Sequence, residues 1–269
     1  MKKNAYDFCY DGQYLSDYDF IIVNIDDSSG VETVSIGSVI KVDTISKPTQ
    51  RRAYKTGYHY DSTYTCSFTI AKNPEKVGNN LEITEDEYSD LIRWLNRTEF
   101  LQMFFIYEHG NNCYYDAMFN VERIYIGNKL IALQLTMDTN RPYGYGEKVV
   151  KTLTFAEAEQ VKSFNDSSNE IGSIIPDLKI TIKDDGDLYL QNLDTGTSMS
   201  IDNCIENEII TINGDMLTIL SDNLNHQSTL ADDFDYNFLS IGNTLNNRKN
   251  RILSSLPCVI EISYIPVVK

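Results

Sequence analysis

Long hydrophobic runs are missing from this chain of 269 residues: no stretch of about 18 or more apolar residues occurs, so no segment reads as a transmembrane helix. Histidine is scarce. His59, His109 and His226 stand far apart, which leaves a histidine-based metal site without material. Cysteine is equally unpromising. Cys9, Cys66, Cys113, Cys204 and Cys258 are odd in number, widely spaced and never in a C-x-x-C pair, so neither a disulfide framework nor a zinc site is indicated. They read as small apolar residues. The glycine-rich phosphate loops, the G-x-S-x-G elbow and the H-E-x-x-H helix are all absent. Acid–base chemistry would then fall to carboxylates, and nothing in the spacing of the 39 Asp and Glu residues singles out a glycosidase-like pair. The expectation is a protein that is not an enzyme and carries no cofactor and no metal.

Positive charge is also in short supply. Against 39 Asp and Glu the chain has 23 Lys and Arg, a formal net charge of −16, and both halves are acidic. Such a surface repels phosphates and argues against a protein that grips DNA or RNA. It is compatible with a surface that nucleic acid slides past. Met1-Lys2-Lys3 has no apolar core behind it and does not read as a secretory signal, so assembly in the cytoplasm of a host cell is expected.

What the chain does have is tyrosine, 18 of them, together with many short alternating runs. Tyrosine suits interfaces because an apolar ring carries a polar tip; it is also a good strand former, and both readings stay open. Phe8–Tyr10, turned by Asp11-Gly12, precedes a β-branched run at Phe20–Ile25. Val31 to Val42 is strand-like. Residues 46–62 differ from everything around them: Lys47, Arg51, Arg52 and Lys55 alternate with Tyr54, Tyr58 and Tyr60, a basic aromatic stretch in an acidic chain. It reads as a solvated loop or as an arm that docks on an acidic neighbour. Arg51, Arg52, Tyr54, Lys55, Tyr58 and Tyr60 are its candidate contact residues.

One helix is clear near 84–97. Thr84 and Glu87 form a capping box, Glu85 and Asp86 suit the helix N-terminus, and Tyr88, Leu91, Ile92 and Leu95 make one apolar stripe. Trp94, the single tryptophan, lies beside that stripe and reads as core. Strands follow at Leu101–Tyr107, then a turn at His109–Asn112, then Tyr114–Ile126 and Leu130–Met137 around Gly127-Asn128-Lys129. Arg141-Pro142-Tyr143-Gly144-Tyr145-Gly146 is the best candidate boundary, giving domains at 1–147 and 148–269. Signals over 152–164 conflict and favour two strands with an undefined turn. From Pro176 onward the pattern reads as all β, with turns at Asp184–Asp187 and Asp194–Gly196 and its strongest hairpin at Asn213-Gly214. Short strands at regular spacing indicate a sandwich or jelly roll. The acidic clusters Asp184-Asp185-Gly186-Asp187 and Asp232-Asp233-Phe234-Asp235 lack the spacing of a calcium loop and read as turns.

The opening Phe8–Gly12 and Leu15–Ile22, the junction Arg141–Gly146, the Pro176–Ile182 strand, Asn213–Ile219 and Ile241–Asn246 together resemble the distal tail proteins (Dit) of long-tailed, non-contractile bacteriophages. The resemblance runs over nearly the whole chain and rests on the order of its motifs. It implies a mainly β protein: an N-terminal β-sandwich with one α-helix that forms a homohexameric ring around the tail channel, and a C-terminal galectin-like sandwich. The implied role is a baseplate hub at the distal end of the virion tail. Its implied partners are the tail-tube protein, the tail-tip protein and receptor-binding proteins, with genomic DNA passing through the channel. Residues 46–62 then suggest an inter-subunit arm. A carbohydrate-binding adhesin acting through the C-terminal sandwich is the alternative, although no galectin-type set of His, Asn, Arg and Trp can be placed there.

Overall fold

A computed structural model describes residues 5–23, 38–46, 53–107 and 113–268. The chain is mainly β and folds as two compact units, the first ending at Gly146 and the second running from Glu147 to Val268. Residues 31–37 of the strand-like Val31–Val42 run and the turn at 109–112 lie outside the described residues.

The first unit is organised by one antiparallel sheet, with strands in the order Gln13–Tyr14, Asp7–Tyr10, Leu101–Ile106, Tyr114–Ile126, Lys129–Thr139, Thr65–Lys72 and Phe20–Val23. Its tight turns follow from their residues. Asp11 and Gly12 both have positive φ (51° and 74°), the backbone of a two-residue turn that joins Tyr10 to its partner Gln13. Gly127 (φ 63°) and Asn128 turn the longest hairpin, where Ile126 pairs with Lys129. Side chains alternate across the sheet. Phe8, Tyr10, Met103, Ala117, Phe119, Leu133, Leu135 and Ile70 point to one face and are buried.

That face is covered by the helix Glu85–Leu95. Thr84 and Glu87 form the reciprocal cap: Glu87 N–H donates to Thr84 Oγ1 (3.3 Å), and Thr84 N–H donates to Glu87 Oε2 (2.7 Å). Leu91, Trp94 and Leu95 enter the core. Trp94 stacks between Phe8 (5.5 Å between centroids) and Tyr18 (4.7 Å), and its indole N–H donates to the Tyr10 carbonyl (3.0 Å). Glu87 Oε1 also meets Lys72 Nζ at 2.7 Å; the lysine is 3% exposed, so the cap doubles as a helix-to-sheet anchor. Two short helical turns that the sequence reading did not foresee, Leu15–Tyr18 and Pro74–Val77, complete the unit.

The second unit is a sandwich. One sheet has the order Val149–Phe155, Cys258–Tyr264, Asp177–Ile182, Ile209–Asn213, Thr218–Ser221; the other has Gln160–Asn165, Lys249–Ser254, Gly186–Asn192, Ser198–Cys204. Leu178, Ile180, Ile210, Ile260 and Ile262 from the first face Leu188, Leu190, Met199, Ile201 and Ile252 from the second in a single core. The conflict over 152–164 resolves as two strands that belong to different sheets. Val149–Phe155 pairs with Cys258–Tyr264, Gln160–Asn165 pairs with Lys249–Ser254, and the chain crosses over through Glu159 at φ 55°. Buried Asn192, Asn243 and Asn250 fasten the long loops to this sandwich by donating to the carbonyls of Ser240, Ser168 and Gly242.

Two readings need correction. The second unit is not all β: Leu224–Asp233 is a helix. Its sequence is rich in poor helix formers, but Asn223 caps two N–H groups, and His226 and Leu230, one turn apart, are buried. His226 Nδ1 lies 2.6 Å from the shielded Glu208, which also accepts the Ser221 hydroxyl. The second correction concerns Asn213-Gly214, which is not a two-residue turn. Asn213 pairs with Thr218, so 214–217 form the loop. Gly214 is required for a different reason: a Cβ there would stand 2.2 Å from the Ile175 carbonyl oxygen.

Candidate assembly surface

A separate two-stranded hairpin, Ile40–Ser46 with Ala53–Tyr60, is not part of its unit's main sheet and pairs with no other strand among the described residues. Four of the six candidate arm residues, Tyr54, Lys55, Tyr58 and Tyr60, lie on its second strand. Arg51 and Arg52 lie outside the described residues. The first strand contributes Ile40, Val42 and Ile45, which the sequence reading had not joined to the arm. The available signal was the Ile40-x-Val42 alternation facing Tyr58-x-Tyr60 at hairpin distance.

The register sorts the hairpin into two faces. Ile40 pairs with Tyr60 and Val42 with Tyr58, placing four apolar or aromatic side chains on one side. Lys41 and Asp43 stand on the other, where Lys41 pairs with Asp61 and His59 Nδ1 lies 3.1 Å from Asp43. A bulge at Asp43/Thr44 follows, and beyond it Ile45 pairs with Tyr54. Ile40, Val42, Ile45, Tyr54 and Tyr58 are each about half exposed (47–55%). The Lys55 ammonium sits 5.1 Å from the Tyr58 ring centre. At its root the hairpin is tied down. Ser38 N–H donates to the Pro142 carbonyl, Asp61 N–H to the Val39 carbonyl, and the Tyr60 and Tyr143 rings meet edge to face at 5.6 Å.

This geometry has an energetic consequence. A lone two-stranded hairpin is marginal in water, and one with apolar side chains exposed on both faces has more to gain from being covered than from standing free. Segment 38–62 carries five Lys or Arg against two Asp, in a chain of net charge −16. An acidic, partly apolar surface is its natural complement.

The outward face of the N-terminal sheet differs in kind. Where the strands Thr65–Lys72, Lys129–Thr139 and Tyr114–Ile126 meet, it carries hydroxyls, amides and carboxylates that bond to one another across the strands. Thr65 donates to Asp138 (3.0 Å), Asn120 to Asp138 (3.0 Å), Thr69 to Gln134 (3.2 Å), and Ser67 bonds Thr136 (3.1 Å). At its end Asp116 accepts from Tyr145 (2.6 Å) and Asn140 (3.2 Å). Burial and that carboxylate push the Tyr145 hydroxyl up to about 12, so it remains a donor.

The acidic clusters are spent on backbone. Asp185 accepts from Glu206 N–H (2.6 Å), Asp187 from Asn203 N–H (2.9 Å), and Asp235 from Asn237 N–H (2.9 Å). Thr229 and Asn203 bind the Asp233 carboxyl and hold it below the usual range. Among the described residues no three His, Cys, Asp or Glu converge on a point where a metal ion could sit.

Comparison with known proteins agrees over the full length. Residues 3–141 match a family model described as a phage tail protein N-terminal domain, and residues 143–264 match one described as a phage tail C-terminal domain. The sequence matches no curated protein. Among solved structures, the chain is similar to the Dit protein (gp 19.1) of phage SPP1, whose crystal structure is described as a paradigm of the hub adsorption apparatus in phages that infect Gram-positive bacteria. The TM-score is 0.64 at 13% identity, over 97% of this chain and 99% of that one.

Proposed function

We propose a role that starts from one fact: the chain belongs to the family of phage tail proteins whose N-terminal and C-terminal domain models cover it. It is a structural, non-enzymatic component of the virion tail with the fold of a Dit protein. Six copies assemble into a ring through the N-terminal unit, at the distal end of the tail. The ring joins the tail tube to the tail-tip complex, and the galectin-like C-terminal sandwich carries further baseplate parts such as receptor-binding proteins.

The observation that carries this reading is the hairpin of Ile40–Ser46 with Ala53–Tyr60, whose apolar side chains stand about half exposed among the described residues. A second copy of the chain supplies the cover, and repeating the contact around an axis closes a ring. Tyr54, Lys55, Tyr58 and Tyr60, with Arg51 and Arg52 just before them in the sequence, form the clasp. The interlocked hydroxyl, amide and carboxylate face fits the channel wall. The cation at its end, Arg141, lies 3.9 Å from the Asp116 carboxylate, so the face holds little uncompensated positive charge and DNA moves past it without being held.

A phage carrying a nonsense codon in this gene should make filled heads but no complete tails, with infectivity restored by the wild-type gene in trans. Complete, infectious tails made in the absence of the protein would contradict the hub role. The subunits assemble inside the host cell before lysis.

A further inference from the structure

In the N-terminal sheet the strand Tyr114–Ile126 outruns the strand beside it. Leu101–Ile106 pairs with it only from Tyr114 to Ala117, while Lys129–Thr139 accompanies it to the tip. Its second half thus has a neighbour on one side alone among the described residues. We infer that this open edge, from Val121 to Ile126, receives the hairpin Ile40–Ser46/Ala53–Tyr60 of a second copy of the chain as added β-structure. The docking rests on the ring reading and names the surface of the neighbour that the hairpin meets.

The direction of the backbone groups follows from the ladder. Asn140 N–H donates to the Asp116 carbonyl, so the even-numbered residues of Tyr114–Ile126 are the ones that bond to Lys129–Thr139. The bulge at Ile124/Tyr125 takes its additional residue, Ile131, from the partner strand, and the alternation therefore persists to the tip. Val121, Arg123 and Tyr125 aim their N–H and C=O groups at the open side, where no strand is paired with them among the described residues. Unpaired backbone groups in a row at a sheet edge are a template for one more strand.

Charge and patterning select the occupant. The helix Glu85–Leu95 packs beside this edge and brings exposed Glu85 and Asp86 to it, and exposed Glu122 stands on the strand itself. Arg123, the cation of the stretch, is already engaged: it lies 3.6 Å from Glu85 and 3.8 Å from the centre of the Tyr88 ring. The edge is therefore acidic, and segment 38–62 brings five Lys or Arg against two Asp. The faces agree as well. On the edge strand Val121 and the half-exposed Tyr125 share one face and Glu122 takes the other; on the hairpin Val42 and Tyr58 share one face and Lys41 takes the other. A hairpin strand laid along the edge matches apolar with apolar and cation with carboxylate. Ile126, 66% exposed at the turn, extends the apolar side.

Amide hydrogen exchange on the full-length protein, resolved to single residues by electron-transfer mass spectrometry, tests this. In the assembled ring the amides of Val121, Arg123 and Tyr125 should exchange about ten-fold more slowly than in dilute single subunits, while Glu122 and Ile124, paired inside the sheet, stay slow in both. Val121→Pro removes one outward N–H and spares the internal ladder, and Glu122→Lys makes the edge less acidic. Each should weaken assembly about ten-fold with circular dichroism unchanged. Rings in which the three amides exchange as fast as in single subunits, or which form equally well with both substitutions, would overturn the docking and leave the ring standing. Should the wild type stay single, the ring reading fails and a synthetic peptide of residues 38–62 decides the site. Slower exchange of the three amides on its addition supports the docking, and unchanged exchange overturns it.

Discussion

Lys72 and Glu87 show how much a single contact does in this fold. The ammonium is shielded from water and has the carboxylate 2.7 Å away. Burial alone would raise the Glu87 carboxyl, but Lys72 and the amide and hydroxyl of Thr84 outweigh it and hold the group below the usual carboxylate range. A carboxyl depressed in the folded state contributes stability above its unfolded value and loses it as pH falls through the folded one. Glu87→Ala should therefore cost about 2 kcal/mol at neutral pH, less than a fully buried pair would because the carboxylate is partly exposed. The gap between variant and wild type in urea melts should close as the solution is acidified below the carboxylate range. The cysteines give a second residue-scale prediction. All five are free thiols; burial pushes Cys66 and Cys258 up to about 11 and Cys204 to about 12. Those three then hold a thiolate fraction of roughly one in a thousand or less at neutral pH. Iodoacetamide should label them slowly in native protein and fully in denaturant; fast native labelling would contradict the core assignment.

At the scale of elements, the readable parts were those where one local rule decided the outcome. The Thr84–Glu87 capping box, the Asp11-Gly12 turn and the Gly127-Asn128 turn were legible because cap and turn chemistry is written in two to four adjacent residues. The helix Leu224–Asp233 was not legible. Its Asn, His, Ser and Thr residues argue against helix, and what fixes it is the long-range contact of His226 with Glu208, 18 positions away. Gly214 misled for the same reason: it reads as a turn glycine, yet its necessity comes from Ile175 on another segment. Half of the candidate arm was visible as a basic, tyrosine-rich stretch. The other half, Ile40, Val42 and Ile45, needed the strand register to join it. The hairpin also yields the element-scale prediction. Val42→Asp combined with Tyr58→Asp places two charges on its apolar face. Circular dichroism should be unchanged, because both side chains are exposed, while sedimentation should shift from ring to single subunit. A ring that survives both charges would remove the hairpin from the interface.

For the whole molecule, two β units with separate cores, matched by the two phage tail domain models, describe a tail part that works by being assembled. Charge enters at this scale as well. In the proposed ring, a net charge of −16 holds free subunits apart until the locally basic hairpin segment brings them together. The central claim is that the subunits close into a ring of six, and light scattering coupled to size exclusion on the full-length protein tests it most directly. The predicted result is a single species of six times 30.7 kDa. A species that stays at 30.7 kDa over the whole accessible concentration range would contradict it.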